Sequence, residues 1–109
     1  MAEAFIAGSW QNANVEDDTS AIGIMGGALI RVYNNTTSDS IEVQFVYKGI
    51  DSSISKTSKR DGNPAEIGAK YGVYVISSTF IENETEFTFS QEVEINSLRI
   101  YNIYIDSFL

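Results

Sequence analysis

The alternation in Ser40–Lys48 constrains this chain more than anything else in it. Ile41, Val43, Phe45 and Tyr47 alternate with Glu42, Gln44, Val46 and Lys48. A period of two puts the first set on one face of a strand and the second on the other. No segment of the 109 residues carries a convincing apolar stripe at helical spacing. The expected product is a sheet protein whose core is built from one face of each strand.

Other segments follow the same logic. Ala28–Tyr33 (ALIRVY) is short, β-branched and apolar, and the NNTTSDS after it is a polar cluster able to bond its own backbone. Together with Ser40–Lys48 it predicts an antiparallel hairpin with a long loop. Tyr71–Ile76 (YGVYVI) is apolar on both faces, as a central strand is, and Thr79–Ile81 extends it past a bend at Ser77 and Ser78. Thr85–Ser90 alternates with Phe87 and Phe89 inward, and Val93 and Ile95 continue after a turn near Gln91. In Leu98–Ile105 the apolar parity slips by one residue around Tyr101 and Asn102, which predicts a β-bulge. Residues 11–27 read as a long loop or arm with a short strand at Ala21–Met25. Residues 49–66 read as a polar region with a short edge strand at Ile54–Thr57 and a turn at Asp61-Gly62-Asn63-Pro64.

The expected fold class is therefore all-β: an antiparallel two-sheet β-sandwich of six to eight strands, jelly-roll or Greek-key-like. It fills a single domain over residues 1–109, with residues 1–20 as an extended N-terminal arm. The immunoglobulin variant has no support, because no Cys…Trp…Cys framework exists.

Chemistry is restricted by two missing residue types. With no histidine there is no side chain whose ordinary pKa suits general base work near neutral pH, and with no cysteine there is no thiolate nucleophile or ligand. Glu82, Glu84, Glu86, Glu92 and Glu94 share one parity opposite Phe87, Phe89, Val93 and Ile95, the pattern of a solvated strand face rather than of paired catalytic acids. Glu16, Asp17 and Asp18 are the one candidate cation site, for Ca²⁺ through oxygen, although their spacing is not that of an EF-hand. Asn34-Asn35-Thr36, Asn35-Thr36-Thr37 and Asn83-Glu84-Thr85 fit the glycosylation pattern and read more simply as polar turns. No catalytic residue and no cofactor is expected.

The formal net charge is −8, which disfavours nucleic acid as a partner, since that affinity comes mainly from Lys and Arg. No run approaches the length of a membrane span. Charge is unevenly distributed: Lys48, Lys56, Lys59, Arg60 and Lys70 fall within 23 positions, whereas residues 82–94 carry five acids and no base. A molecule with one basic and one acidic end can dock head-to-tail on copies of itself. Phe5, Ile6 and Trp10 near one terminus, and Phe108 and Leu109 at the other, are apolar where chain ends are usually polar. Such ends either add to a neighbour's sheet edge or tuck into the protomer's own core. The expected assembly interface comprises Phe5, Ile6, Trp10, Lys56, Lys59, Arg60, Phe108 and Leu109. MAEAFIAGSW has no basic n-region, so synthesis in the cytoplasm and a place in a virion or exported assembly are expected.

The expected function is a non-enzymatic structural or assembly subunit of a virion, phage particle or protein appendage, whose partners are copies of itself and other structural proteins. The alternative is a module that binds a glycan or membrane surface. ALIRVYNNTTSDSIEVQF, under a fifth of the chain, resembles the opening hairpin of aegerolysin- and actinoporin-type β-sandwiches. That resemblance implies a lectin-like or small pore-forming protein. The tryptophan-rich membrane face of those families has no counterpart, Trp10 being the single tryptophan.

Overall fold

The period of two in Ser40–Tyr47 is realised residue by residue: Ile41, Val43 and Phe45 are buried, and Glu42 and Gln44 are exposed. The computed structural model describes residues 9–10, 13–18, 27–49 and 52–107, with only the backbone of the first two segments described. Seven strands form an all-β, two-sheet sandwich, mostly antiparallel and not closed into a barrel. Two N-terminal strands, β1 (Ser9–Trp10) and β2 (Ala13–Asp18), join its edges. The seven are β3 (Ala28–Asn35), β4 (Ser40–Tyr47), β5 (Ser52–Lys59), β6 (Ala65–Ala69), β7 (Gly72–Glu82), β8 (Thr85–Ile95) and β9 (Ile100–Asp106). The first sheet has the order β1-β8-β7-β4-β5 and the second β2-β9-β3-β6.

The core lies between the sheets. Val43, Phe45, Ile76, Phe87 and Phe89 come from the first sheet, and Ile30, Val32, Ile103 and Ile105 from the second, each at most 1% exposed. Burying one such side chain contributes about 1.5–3 kcal/mol. In β7 the inward row runs through Tyr74, Ile76, Ser78 and Phe80, and in β8 through Phe87, Phe89, the half-buried Gln91, Val93 and Ile95.

Several expectations need correction. Ala28–Tyr33 and Ser40–Lys48 do not form a hairpin, because β3 pairs with β6 and β9 while β4 pairs with β5 and β7. The polar cluster between them is a corner that carries the chain from one sheet to the other. Its Asn34 is 2% exposed, donates from Nδ2 to the carbonyls of Ser38 (3.0 Å) and Ser58 (3.2 Å), and accepts from Thr36 N (2.9 Å) and Thr36 Oγ1 (2.6 Å). A side chain that reaches a strand of the opposite sheet fixes a crossing, which a solvated turn does not.

The sandwich is also not wholly antiparallel. β3 and β9 pair in parallel from Leu29↔Ile100 to Asn35↔Asp106, and β1 pairs in parallel with β8. Seven strands that reverse direction at each step leave the first and last pointing the same way, so β3 and β9 can be neighbours only as a parallel pair.

β7 does not bend at Ser77 and Ser78, and β8 does not turn at Gln91; each is one strand of 11 residues. Ser78 stays in the inward row because its hydroxyl donates to Glu42 O at 2.7 Å. No bulge interrupts β9, whose register against both β2 and β3 is continuous. The apparent slip arises because Ile100 and Asn102 are buried on the outer face, while Tyr101, Ile103 and Ile105 fill the core. Residues 13–18, expected in a loop, form β2 along β9; the strand expected at Ala21–Met25 lies outside the described residues. Ile54–Thr57 does lie on an edge strand, within the longer β5.

Candidate functional site

The side of the sandwich between the free edges of β5 and β6 opens into an apolar cleft of about 180 Å³, lined by Phe45, Tyr47, Ser52, Ile54, Ile67, Gly68, Lys70 and Tyr74. The cleft exists because β5 overhangs the second sheet. Pairing with β4 places Ser52, Ile54, Lys56 and Ser58 on the row that faces inward. Only Ser58 is covered; Ile54 remains 47% exposed. The floor is rigid. Tyr47 and Tyr74 lie opposite each other on β4 and β7 with ring centroids 4.9 Å apart. Tyr47 Oη donates to Tyr71 O at 2.5 Å, and Lys70 N donates to Tyr74 Oη at 2.9 Å.

Gly72 turns the chain from β6 into β7 beside that floor. Its φ of 133° and the approach of Tyr47 leave no room for a side chain, since a Cβ there would lie 2.6 Å from Tyr47 Oη. Lys70 belongs to the lining and Lys56 follows Ile54 on the inward row of β5; neither makes an ion pair among the described residues. Tyr71, whose carbonyl accepts from Tyr47, is 58% exposed. A volume of 180 Å³ lies below the roughly 300–1,000 Å³ of sites for drug-sized ligands. It suits one aliphatic or aromatic side chain.

The opposite end of β7 has the contrary character. Glu82 closes the strand, and Asn83 and Glu84, with φ of 51° and 64°, form the two-residue turn into β8. Two successive positive φ values mark the mirror-image turn that suits the twist of a hairpin. Glu82 is 1% exposed and accepts from Thr37 N (2.7 Å) and Thr37 Oγ1 (3.2 Å), and Ser38 Oγ donates to Ile81 O. Glu84 and Glu86 face solvent beside Ile81, which is 59% exposed and pairs with Glu86.

A second, polar notch of about 260 Å³ lies on the outer face of the first sheet, lined by Glu42, Gln44, Ser77, Ser78, Thr79 and Thr88. It opens where the β4–β7 ladder ends at Gln44↔Ser77 and Ser78 takes over the carbonyl of Glu42. On the outer face of the second sheet, Arg31 Nε donates to Glu66 Oε1 at 2.8 Å, and Tyr33 stacks on Tyr104 with centroids 4.8 Å apart. The hydrogen bond to Glu66 raises the Arg31 pKa above its ordinary value against a smaller opposing effect of burial. The stabilisation tied to that charge is fully present below the ordinary arginine value. It is lost only as pH rises through the raised one.

Of the residues expected at the interface, the structure describes the side chains of Lys56, Lys59 and Arg60 and the backbone of Trp10. Lys56 lies on the inward row of β5, Lys59 on its outer row, and Arg60 in the turn beyond. Arg60 is committed to its own loop, with Nη2 2.8 Å from Asp39 Oδ1, Nε 3.7 Å from Asp61 Oδ2 and Nη1 donating to Thr37 O. The basic block of the sequence thus splits, with Lys48 and Lys70 at one end of the molecule and Lys59 and Arg60 at the other. Trp10 is placed by its backbone opposite Phe89; Phe5, Ile6, Phe108 and Leu109 lie outside the described residues. Glu16, Asp17 and Asp18 occupy consecutive positions of β2 opposite Asn102, Tyr101 and Ile100, an extended segment rather than a ligand loop.

Two features were passed over in the sequence. Ser53 and Lys56 have Ser-x-x-Lys spacing, but on a strand an odd separation puts them on opposite faces. The apolar cleft had no sequence signal beyond Ile54 among polar neighbours. No protein-family model, no curated protein and no solved structure matches this chain.

Proposed function

We propose that this protein is a non-enzymatic assembly subunit, a β-sandwich building block of a virion, phage particle or protein appendage that associates with copies of itself. The observation that carries this reading is the position of the large exposed apolar side chains. Ile54, Tyr71 and Leu98 lie towards one end of the strands and Ile81 at the other. Apolar groups gathered at the ends of a sandwich favour contacts between molecules. The N-terminal strands add a further means, since β1 and β2 pair along β8 and β9, and such edge pairing is exchangeable between copies. The strand order also supports a Greek-key reading: around the sandwich run β7, β4, β5 and β6, with β7 returning beside β4.

Size-exclusion chromatography with light scattering over a concentration series, followed by negative-stain microscopy, tests the proposal. Chains, tubes or lattices are expected, and a monomer at every concentration refutes it. The second reading, a glycan-binding surface, draws on the notch of Glu42, Gln44, Ser77, Thr79 and Thr88, whose carboxylate, amide and hydroxyls can bond a polyol. A monomer whose glycan binding is lost in Gln44→Ala favours that reading instead.

A further inference from the structure

We propose that the β7–β8 hairpin tip of one molecule docks into the β5–β6 cleft of a second, so that copies join head to tail. The inference rests on the assembly reading above and names the two surfaces that meet. From Tyr74 on the cleft floor to Glu82 at the tip is eight residues of one strand, about 27 Å at the antiparallel rise. Cleft and tip are therefore separate surfaces of one molecule, which makes the contact heterologous, the kind that builds rings or open filaments.

Their chemistry is complementary. The tip presents Ile81 beside Glu84 and Glu86, and the cleft presents an apolar floor with Lys70 in its lining and Lys56 next to Ile54 on the inward row of β5. The other charges at each end do not spoil the match. Lys59 and Arg60 share the tip's end but sit at the β5 edge, three strands from β8, and Arg60 is held by Asp39 and Asp61. Glu92 and Glu94 share the cleft's end but belong to the outer row of β8, where Glu92 meets Lys48 at 3.1 Å.

Lys56 also explains why growth runs through this contact rather than by strand addition along β5. A charge on the inward row of an edge strand opposes the addition of another strand. One hairpin in one cleft buries less than the roughly 1,200 Å² of a standard stable interface. Each joint is accordingly weak and sensitive to salt, which screens exposed charges beyond about 3 Å at about 1 M.

The test uses two variants of the full chain: Ile54→Glu, which spoils the cleft, and Ile81→Lys/Glu86→Lys, which spoils the tip. Light scattering at low salt should find concentration-dependent growth for wild type and monomer for each variant alone. An equimolar mixture should give a discrete 1:1 dimer, because it contains one intact tip and one intact cleft. Wild-type assembly that either variant retains unchanged, or a mixture that stays monomeric, overturns this proposal and leaves the assembly reading standing. A wild type that never associates sinks both. Should circular dichroism find a variant unfolded, Lys70→Glu and Glu84→Lys replace the pair, with the same outcomes expected.

Discussion

Asn34→Ala should remove the keystone of the corner between β3 and β4. The side chain makes four hydrogen bonds, to Ser38 O, Ser58 O, Thr36 N and Thr36 Oγ1, at 2.6–3.2 Å. A neutral bond contributes about 0.5–1.5 kcal/mol net, and a buried partner left alone costs about 1–3 kcal/mol. Ser58 and Thr36 are buried, whereas Ser38 is half-buried and can turn to water. The expected loss is about 3 kcal/mol, a large share of the about 5–15 kcal/mol typical of a folded domain. In urea, with a slope of about 2 kcal/mol per M, the midpoint should fall by about 1.5 M. Asn34→Asp provides the decisive comparison. It keeps the acceptor for Thr36 but sets an oxygen against two carbonyls, so it should cost at least as much. Ser58→Ala removes one bond, to Val32 O at 2.8 Å, and should cost about 1 kcal/mol. A midpoint shift below about 0.3 M for Asn34→Ala, or an Asp variant as stable as wild type, would refute the assignment of the corner to this side chain.

Three further outcomes follow from the same geometry. Gly72→Ala meets both a φ of 133° and Tyr47 Oη at 2.6 Å, and should cost about 2 kcal/mol or more by urea titration, with loss of the cleft floor. Glu84→Gly relieves a left-handed residue in the hairpin turn and should add about 1 kcal/mol, seen as a melting temperature higher by about 4 °C. Ser78→Ala leaves Glu42 O without its donor and should cost about 1–1.5 kcal/mol, with faster amide exchange near the end of the β4–β7 ladder.

Strand existence and facing were legible for β4, β7 and β8 because burial on one face writes a period of two, but β2 read as a loop and β6 was not anticipated. Ile41, Val43, Phe45, Phe87 and Phe89 fall where alternation puts them. Pairing was not legible, because alternation reports which way a side chain points and nothing about the neighbouring strand. The β3–β4 segment had every local mark of a hairpin. What distinguished it was a contact 24 residues away, from Asn34 to Ser58, and nothing in NNTTSDS announces its partner. Ser77-Ser78 looked like a break because small polar residues usually are, whereas Ser78 is kept inside by a single carbonyl. Charge misled in the same way. Lys48 to Lys70 are close in sequence, but β5 runs the length of the sandwich and leaves Lys48 and Lys70 at one end and Lys59 and Arg60 at the other.

How the edges are managed limits what this molecule can do with its neighbours. β1 and β2 take up positions along β8 and β9, on the side of the sandwich away from β5 and β6. On the other side, β5 carries lysine at Lys56 and Lys59, and β6 is only five residues long. Short and lysine-bearing edges are the usual means of preventing sheets from merging side by side. Strand addition along these edges is thereby opposed, while the cleft keeps Ile54 beside Lys70 and the tip keeps Ile81 beside Glu86. Edges closed to strand addition, together with the proposed tip-in-cleft contact, predict head-to-tail arrays rather than broad sheets. The shape of any assembly under the microscope therefore tests the same physics as the variants do.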